Sequence, residues 1–442
     1  QRAVLAACRA GLRVVDRHTA ELAAWELQAG ARGLAGELAR LGLDAALAGG
    51  RPDRVLRWID LHRAAVLSRP ALLPPADPAL AERLLALRAL VFTSGGRPSI
   101  ADQNRIVVLE KEIRSLDWCQ RAQLAADRSS WDREELSAAL GGRSLVSFVR
   151  HRDDLLAVSV VEGRHRLHLI GDVGRINSTV RSLRLALTFA AAGEPAGDAV
   201  AGTARELEEL LFTGLPWLAG DRPLVIVPTG TLHNMPWAVL PSCQKRAVTV
   251  APSVTSWLRA SQRGPGEGDS RVWIAGPGLR HAQQEVRILH ARHGGELLIG
   301  PAATVDRTMA AMDGADTVHI AAHARFRDDQ PLFSAIRLAD GALFGHDVAR
   351  LRRPPRRIVL SACDSGRSAV RPGDEVMGFA AALLRQGTST VIASVLPVPD
   401  DRAVGLVTQL HAGMSAGLDP AEALADATAA HGDLGFICLG SG

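Results

Sequence analysis

Two stretches decide how this chain is read: Val318-His319-Ile320-Ala321-Ala322-His323 and Ile358-Val359-Leu360-Ser361-Ala362-Cys363-Asp364-Ser365-Gly366. Each is a short apolar run with the composition of a buried strand, and each ends on a side chain that can do chemistry. In an open parallel sheet the carboxyl ends of the strands form the edge where reacting groups gather. A His and a Cys delivered to that edge make a thiol–imidazole pair available, in which the imidazole lowers the thiol pKa and the thiolate attacks.

Outward from these runs the pattern alternates. Strands are expected near 224–227, 247–250, 272–275, 296–299, 316–321, 357–362, 389–395 and 435–439, and helices near 253–262, 281–292, 304–312, 374–386, 401–416 and 420–430. Strands alternating with helices of this length build a mostly parallel sheet covered on both faces, an α/β architecture. Upstream, Leu145–Arg150, Leu155–Val161 and Leu167–Ile170 are short alternating runs separated by Arg152-Asp153 and Gly163-Arg164, which predicts an antiparallel meander. Helices follow near 173–193 and 198–213. The helix expected over 374–386 carries Val376, Phe379, Ala380, Leu383 and Leu384 on one stripe, with Asp374-Glu375 at its positive end and Gly387 as its stop.

Residues 1–135 read as a helical, TPR-like region. Val55, Trp58, Ile59 and Val66 share a face of a helix over Asp53–Leu67; Leu80, Leu84, Leu87 and Val91 mark a second, and a third runs through Ile106–Leu124. Paired helices broken by Gly50-Arg51-Pro52-Asp53 resemble the end of a tetratricopeptide array, although no period of about 34 residues is kept, and a generic helical cap fits as well. The α/β region is expected over 140–442, with the loop Gln262–Ser270 separating a first half (140–262) from a catalytic half (271–442).

At 442 residues the chain is long enough for about two or three domains. Its 47% hydrophobic and 22% charged residues fit a soluble globular protein and exclude wholesale disorder. No apolar run reaches the ~18 residues of a membrane span. The first residues lack an initiator Met and a secretory pattern, so a trimmed or excised piece is expected. The net charge of +4 is mild, and only Lys111 and Lys245 are lysines. That bias toward Arg reads as a GC-rich bacterial coding background, and nucleic-acid binding is not supported. The five cysteines (Cys8, Cys119, Cys243, Cys363, Cys438) are odd in number and form no CxxC pair. Neither a disulfide framework nor a zinc site is suggested, and a reducing cytoplasm fits.

Single residues are then weighed. His319 and His323 have a spacing seen in zinc sites, but a strand carries them and no Glu lies between, so no metal is expected. His319 lies inside the apolar run and reads as a hydrogen-bonded core residue, whereas His323 ends the run and reads as functional. Cys8, Cys119, Cys243 and Cys438 read as small apolar core groups. Cys363 differs, because it follows a strand and precedes the turn-forming Asp364-Ser365-Gly366.

From about residue 140 onward the chain closely resembles the CHAT family of caspase-like (clan CD) cysteine peptidases, which often stand behind TPR arrays. The segments that carry the resemblance are LVIVPTGTLHNMPWAVLP (224–241), Ser253, AGPG (275–278), TVHIAAHARF (317–326), PLFS (331–334), LADG (338–341), LSACDSG (360–366), GDEVMG (373–378), VIASVLP (391–397) and the terminal 436–440. The resemblance implies a caspase-like fold, with His323 as the catalytic histidine, Cys363 as the nucleophile, and the backbone N–H groups of Ala324 and Cys363 as the oxyanion hole. Family members usually place Gly after the histidine. Ala324 keeps the N–H, and a positive φ there would cost roughly 1–2 kcal/mol, so a backbone compatible with alanine is expected.

Relatives that cut after basic residues often carry an acid two positions before the Cys, where this chain has Ser361. Ser361, Asp364, Asp374 and Glu375 are the substrate-binding candidates, with helix N-terminal stabilisation the other reading of Asp374-Glu375. Arg350, Arg352, Arg353, Arg356 and Arg357 read as a solvated strand approach, and His233–Trp237 as packing in the first half. The expected protein is a cytoplasmic cysteine endopeptidase without cofactor or metal, the C-terminal part of a bacterial TPR-CHAT protein. It acts on a protein or peptide, its helices bind an activator or recruiter, and Arg367–Gly373 is the element that moves. The alternatives are a catalytically silent scaffold and a hydrolase of small amides or esters.

Overall fold

The structure is a computed structural model that describes all residues except 21–26, 28–29, 31–34, 64–77, 94–98, 120–130, 216–217, 219, 265–267, 364 and 372–373. Its centre is an eleven-stranded sheet. The strands are, in chain order, β1 (Ser144–His151), β2 (Asp154–Val161), β3 (Arg164–Asp172), β4 (Leu224–Val227), β5 (Val248–Val250), β6 (Arg271–Ala275), β7 (Glu296–Leu298) and β8 (Thr317–Ala321). They continue as β9 (Ala324–Arg325), β10 (Ala335–Leu338), β11 (Gly341–Phe344), β12 (Arg357–Ser361), β13 (Ala369–Arg371), β14 (Glu375–Met377), β15 (Thr390–Ser394) and β16 (Phe436–Gly440). The sheet order is β3-β2-β1-β4-β5-β16-β15-β12-β8-β6-β7.

β15, β12, β8, β6 and β7 run parallel, as do β1, β4 and β5. β16 joins the two groups, antiparallel to β15 and parallel to β5. The meander β1–β2–β3 is antiparallel, as the tight turns between its strands require. The parallel strands read as continuous apolar runs because both of their sides are buried. Ile358 and Leu360 enter the main core, whereas Val359 faces the helices Asp400–Ser415 and Pro420–His431.

The N-terminal helices are packed into this body. In helix Pro52–His62 the predicted face appears as buried Val55, Trp58 and Ile59, in one cluster with Leu145, Val225 and Trp257; Val66 lies outside the described residues. The Trp58 indole donates to the Ala39 carbonyl at 2.9 Å. It lies so close to Gly42 that a Cβ there would sit 1.8 Å from the ring. Helices Pro78–Thr93 and Ile100–Cys119 bury Leu80, Leu84, Leu87, Leu109 and Ile113 against Phe333, Ala342 and Phe344.

One expected element is overturned. The helix predicted from 374 begins only at Phe379, so Asp374-Glu375 do not stand at a helix N-terminus. Asp374 is left-handed (φ 52°), which ends any helix, and Glu375–Met377 pair back onto Ala369–Arg371 as β14. Phe379, Ala380 and Leu383 still pack into the core, and left-handed Gly387 closes the helix.

Candidate active site

The site follows from register. Ala321, the last residue of β8, pairs with Ser361, the last residue of β12. His323 and Cys363 therefore stand an equal two-residue step past the ends of adjacent parallel strands, on one carboxyl edge. The Ala322 N–H donates to the Ser361 carbonyl at 3.3 Å and carries the alignment past the ladder. Neighbouring strands lie about 4.8 Å apart, so residues 323 and 363 leave the sheet from adjacent strand ends.

The segment Gly276-Pro277-Gly278 braces the histidine. A Cβ at Gly276 would meet the Arg337 carbonyl at 2.4 Å and the Ala322 Cβ at 2.6 Å. Gly278 has φ 88°, and a Cβ on it would touch the His323 ring at 3.4 Å. Glycine at both places lets the backbone pass under an exposed imidazole. The Arg337 N–H donates to the His323 carbonyl at 2.8 Å, fixing the chain as it enters β9.

Ala324 lies in β9, opposite Ile336 of β10. It is not among the residues with positive φ, so its Cβ carries no left-handed strain. The Arg337-to-His323 bond makes Ala324–Ile336 a wide, non-hydrogen-bonded pair. In such a pair the N–H points away from the partner strand.

Cys363 is half-buried, and its thiol meets the backbone of Val398: the Val398 N–H donates to Sγ at 3.3 Å, and Sγ lies 3.7 Å from the Val398 carbonyl. The turn behind it is fixed by buried Ser365, whose hydroxyl donates to the Ala362 carbonyl at 2.8 Å. The Gly366 N–H bonds the Ser394 carbonyl at 2.8 Å. Cys243 and Cys438 offer a contrast, since burial pushes the Cys243 thiol up to about 12 and Cys438 upward as well.

His319 is fully buried, as expected of a core residue. Its ring nitrogens meet Glu285 at 2.7 Å and His411 at 3.1 Å. Burial, and then the neighbouring His319 and His293, hold His411 well below the ordinary imidazole value. Among the described residues no group of three or more His, Cys, Asp and Glu forms a metal site.

Of the other predicted site residues, the described ones are placed apart in the fold. Ser361 is buried in the sheet. Asp364 lies outside the described residues. Glu375 sits in β14 opposite Arg371, and its side chain is not among those described. Asp374 instead accepts from the Thr229 hydroxyl (2.7 Å) and the Gly230 N–H (3.0 Å) and pairs with Arg63 at 3.1 Å. Burial raises its pKa, but Arg63, His233 and those donors outweigh it, and the carboxyl lies below its usual range.

Several residues of this cradle were not singled out from sequence. Arg63 follows helix Pro52–His62, is buried, and also reaches Ser147 Oγ and the Val227 and Phe148 carbonyls. The Asn234 side chain clasps the Ser368 backbone at both its N–H and its carbonyl, each at 2.8 Å. The block around His233, read as packing of the first half, thus holds the segment that follows Cys363. Glu110, on helix Ile100–Cys119, pairs with Arg327 just after β9. Arg371 then ties the two loops together by donating to the Asp328 carbonyl at 3.0 Å.

Known proteins resemble the chain in family and in fold. The CHAT domain profile matches residues 202–431, just over half of the chain. Tetratricopeptide repeat protein 28 of Homo sapiens is 25% identical over 193 residues, covering 35% of this chain and 8% of that protein. Two crystal structures of the Saccharomyces cerevisiae separase–securin complex match with TM-scores of 0.56 and 0.52 at 10% identity. They cover 94% and 99% of this chain, which spans 37% and 40% of theirs. At that identity the likeness is one of fold: a caspase-like α/β sheet preceded by helices.

Proposed function

The chain belongs to the CHAT domain family, and on that footing we propose that it is a caspase-like cysteine endopeptidase working through His323 and Cys363. The observation that carries the reading is the β8–β12 register, which brings an imidazole and a thiol to equivalent positions on one edge. His323 takes the thiol proton, the Cys363 thiolate attacks the peptide carbonyl, and the imidazolium returns the proton to the leaving amine. The backbone N–H groups of Ala324 and Cys363 receive the oxyanion. Water then hydrolyses the acyl-enzyme with His323 as base. No metal or cofactor has a step in this scheme. The cysteines whose side chains are described are all free thiols, in keeping with a reducing compartment and a cytoplasmic location. Among the described residues no helix is long and apolar enough to cross a membrane.

The same reading makes the helical region the regulator. It touches the loop after each dyad residue, through Arg63–Asp374 on the Cys side and Glu110–Arg327 on the His side. A protein that binds the helices acts on both loops at once.

Alkylation with iodoacetamide near neutral pH tests the dyad. Cys363 is expected to react far faster than Cys243 and Cys438, and His323→Ala to slow the labelling of Cys363 itself. Cleavage profiles of a cell extract treated with wild type or Cys363→Ala test the reaction. Identical profiles with the activating partner present, or labelling of Cys363 no faster than Cys243, would refute the proposal.

A further inference from the structure

At the amino edge of β12 and β15, opposite the end that carries His323 and Cys363, lies a cavity of about 440 Å³. Arg357 and Thr390, the first residues of those two strands, line it together with Arg356, Ser389, Arg143 and Arg263. Four guanidiniums border this space, and two carboxylates answer them. Asp419 pairs with Arg143 at 2.6 Å, and Asp316 is shared between Arg356 (3.3 Å) and Arg357 (3.9 Å). Arg263 donates to the Pro354 carbonyl at 3.2 Å, and among the described residues no carboxylate pairs with it. Burial, followed by repulsion from Arg356, lowers the pKa of both Arg263 and Arg357.

A second observation is independent of charge. Ser389 is only 4% exposed, yet its hydroxyl has no hydrogen-bond partner among the described residues. Buried hydroxyls are normally satisfied, so this one lacks an acceptor. The lining contains no aromatic ring and few apolar side chains, which excludes base stacking and a lipid tail.

We propose that this cavity binds a small phosphate-bearing ligand, with the guanidinium forks of Arg263, Arg356 and Arg357 and the Ser389 hydroxyl as its donors. Planar guanidiniums match phosphate oxygens in pairs, and an excess of cations around a recessed space needs a multiply charged anion. The volume suits a diphosphate or a sugar phosphate better than a single inorganic ion. Arg356 and Arg357, read from sequence as a solvated strand approach, are half-buried at this cavity. The ligand would clamp the start of the strand whose other end presents Cys363.

The test uses inorganic pyrophosphate as the probe on the full chain, by isothermal titration and thermal unfolding, with sodium chloride at matched ionic strength. Pyrophosphate is expected to raise the melting temperature where chloride does not. Arg263→Gln, at an exposed position outside the strands, is expected to weaken binding by at least about tenfold. Ser389→Ala is expected to weaken it by about threefold. Equal effects of pyrophosphate and chloride, or unchanged binding in Arg263→Gln, overturn the site. A single-stranded oligonucleotide that displaces pyrophosphate overturns the small-ligand assignment in favour of a phosphate backbone.

Discussion

Replacing Asp374 by Asn removes the charge that faces Arg63 while keeping shape and hydrogen-bonding capacity. The Arg63 side chain is 2% exposed and that of Asp374 is 19% exposed. Truncating one partner of a buried pair costs about 3–5 kcal/mol, because the other charge stays desolvated. Here the low end applies, since carbonyls of Val227 and Phe148 already accept from Arg63 and Asp374 is partly wet. A cost of about 3 kcal/mol is therefore expected, or roughly a hundredfold in an opening equilibrium. Arg63→Met should cost less, because Asp374 keeps Thr229 and Gly230. The double variant should be milder than the sum, as for any directly coupled pair. Hydrogen exchange over 367–378 is the assay, because it reads local opening without assuming that a chain of this size unfolds in two states. The depressed carboxyl pKa adds a sign: the stabilisation is complete above the ordinary value near 3.9 and is lost as pH falls through the lower folded value. Exchange in Asp374→Asn equal to wild type, or strict additivity in the double variant, refutes the argument.

Two further outcomes are expected. Buried His233 and His346 are both lowered to about 4, by desolvation first and then by positive neighbours (Arg63; Arg114 and Arg350). Each contributes about 3 kcal/mol above pH 6.5 that is lost on acidification to pH 4, whereas buried Asp433, raised to about 6, gains about 3 kcal/mol over pH 6 to 4. The urea midpoint should therefore be lower at pH 4 than at pH 7, the more so because His411 is held down as well, and equal midpoints would contradict it. Ala324→Pro removes one oxyanion donor and should cut kcat/KM by about a hundredfold or more while leaving iodoacetamide labelling of Cys363 intact; full activity in that variant would exclude the donor role.

The strands that lead to His323 and Cys363 were legible because a run buried on both sides is apolar throughout, and each of these residues ends its run. The expected strands β5, β6, β8, β12, β15 and β16 all occur, displaced by no more than a residue or so at either end. The short strands β9–β11 and β13–β14 were not legible, since they lie outside the alternation of strands and helices that marked the main sheet. The 374–386 stretch misled for a related reason. Val376 and Phe379 fit a helical stripe, but the left-handed turn at Asp374 is fixed by Thr229, Gly230 and Arg63, all distant in sequence. Arg63 and Asn234 carry no local signal, because each is defined by a partner in another part of the chain. The charge excess at the Arg356–Arg357 cavity depends likewise on Arg143 and Arg263, which only folding brings near.

The alanine after His323 shows how one backbone choice serves two demands. A glycine at this position reads as a need for positive φ, and an alanine there reads as a handicap. Ala324 escapes it because β9 pairs with β10 from Ala324 onward and holds the chain extended, where a Cβ is tolerated. The same pairing decides the direction of the N–H. With Arg337 donating to the His323 carbonyl, residue 324 falls in the wide position of the ladder, so its N–H faces away from β10. Had the register slipped by one residue, Ala324 would enter a narrow pair and spend its N–H on the ladder. Gly276 and Gly278, by admitting the loop beneath Ala322 and His323, leave the side chain and the following N–H on an open edge. Register thus keeps Ala324 free of left-handed strain, and the positive φ beside His323 falls on Gly278 in the neighbouring loop.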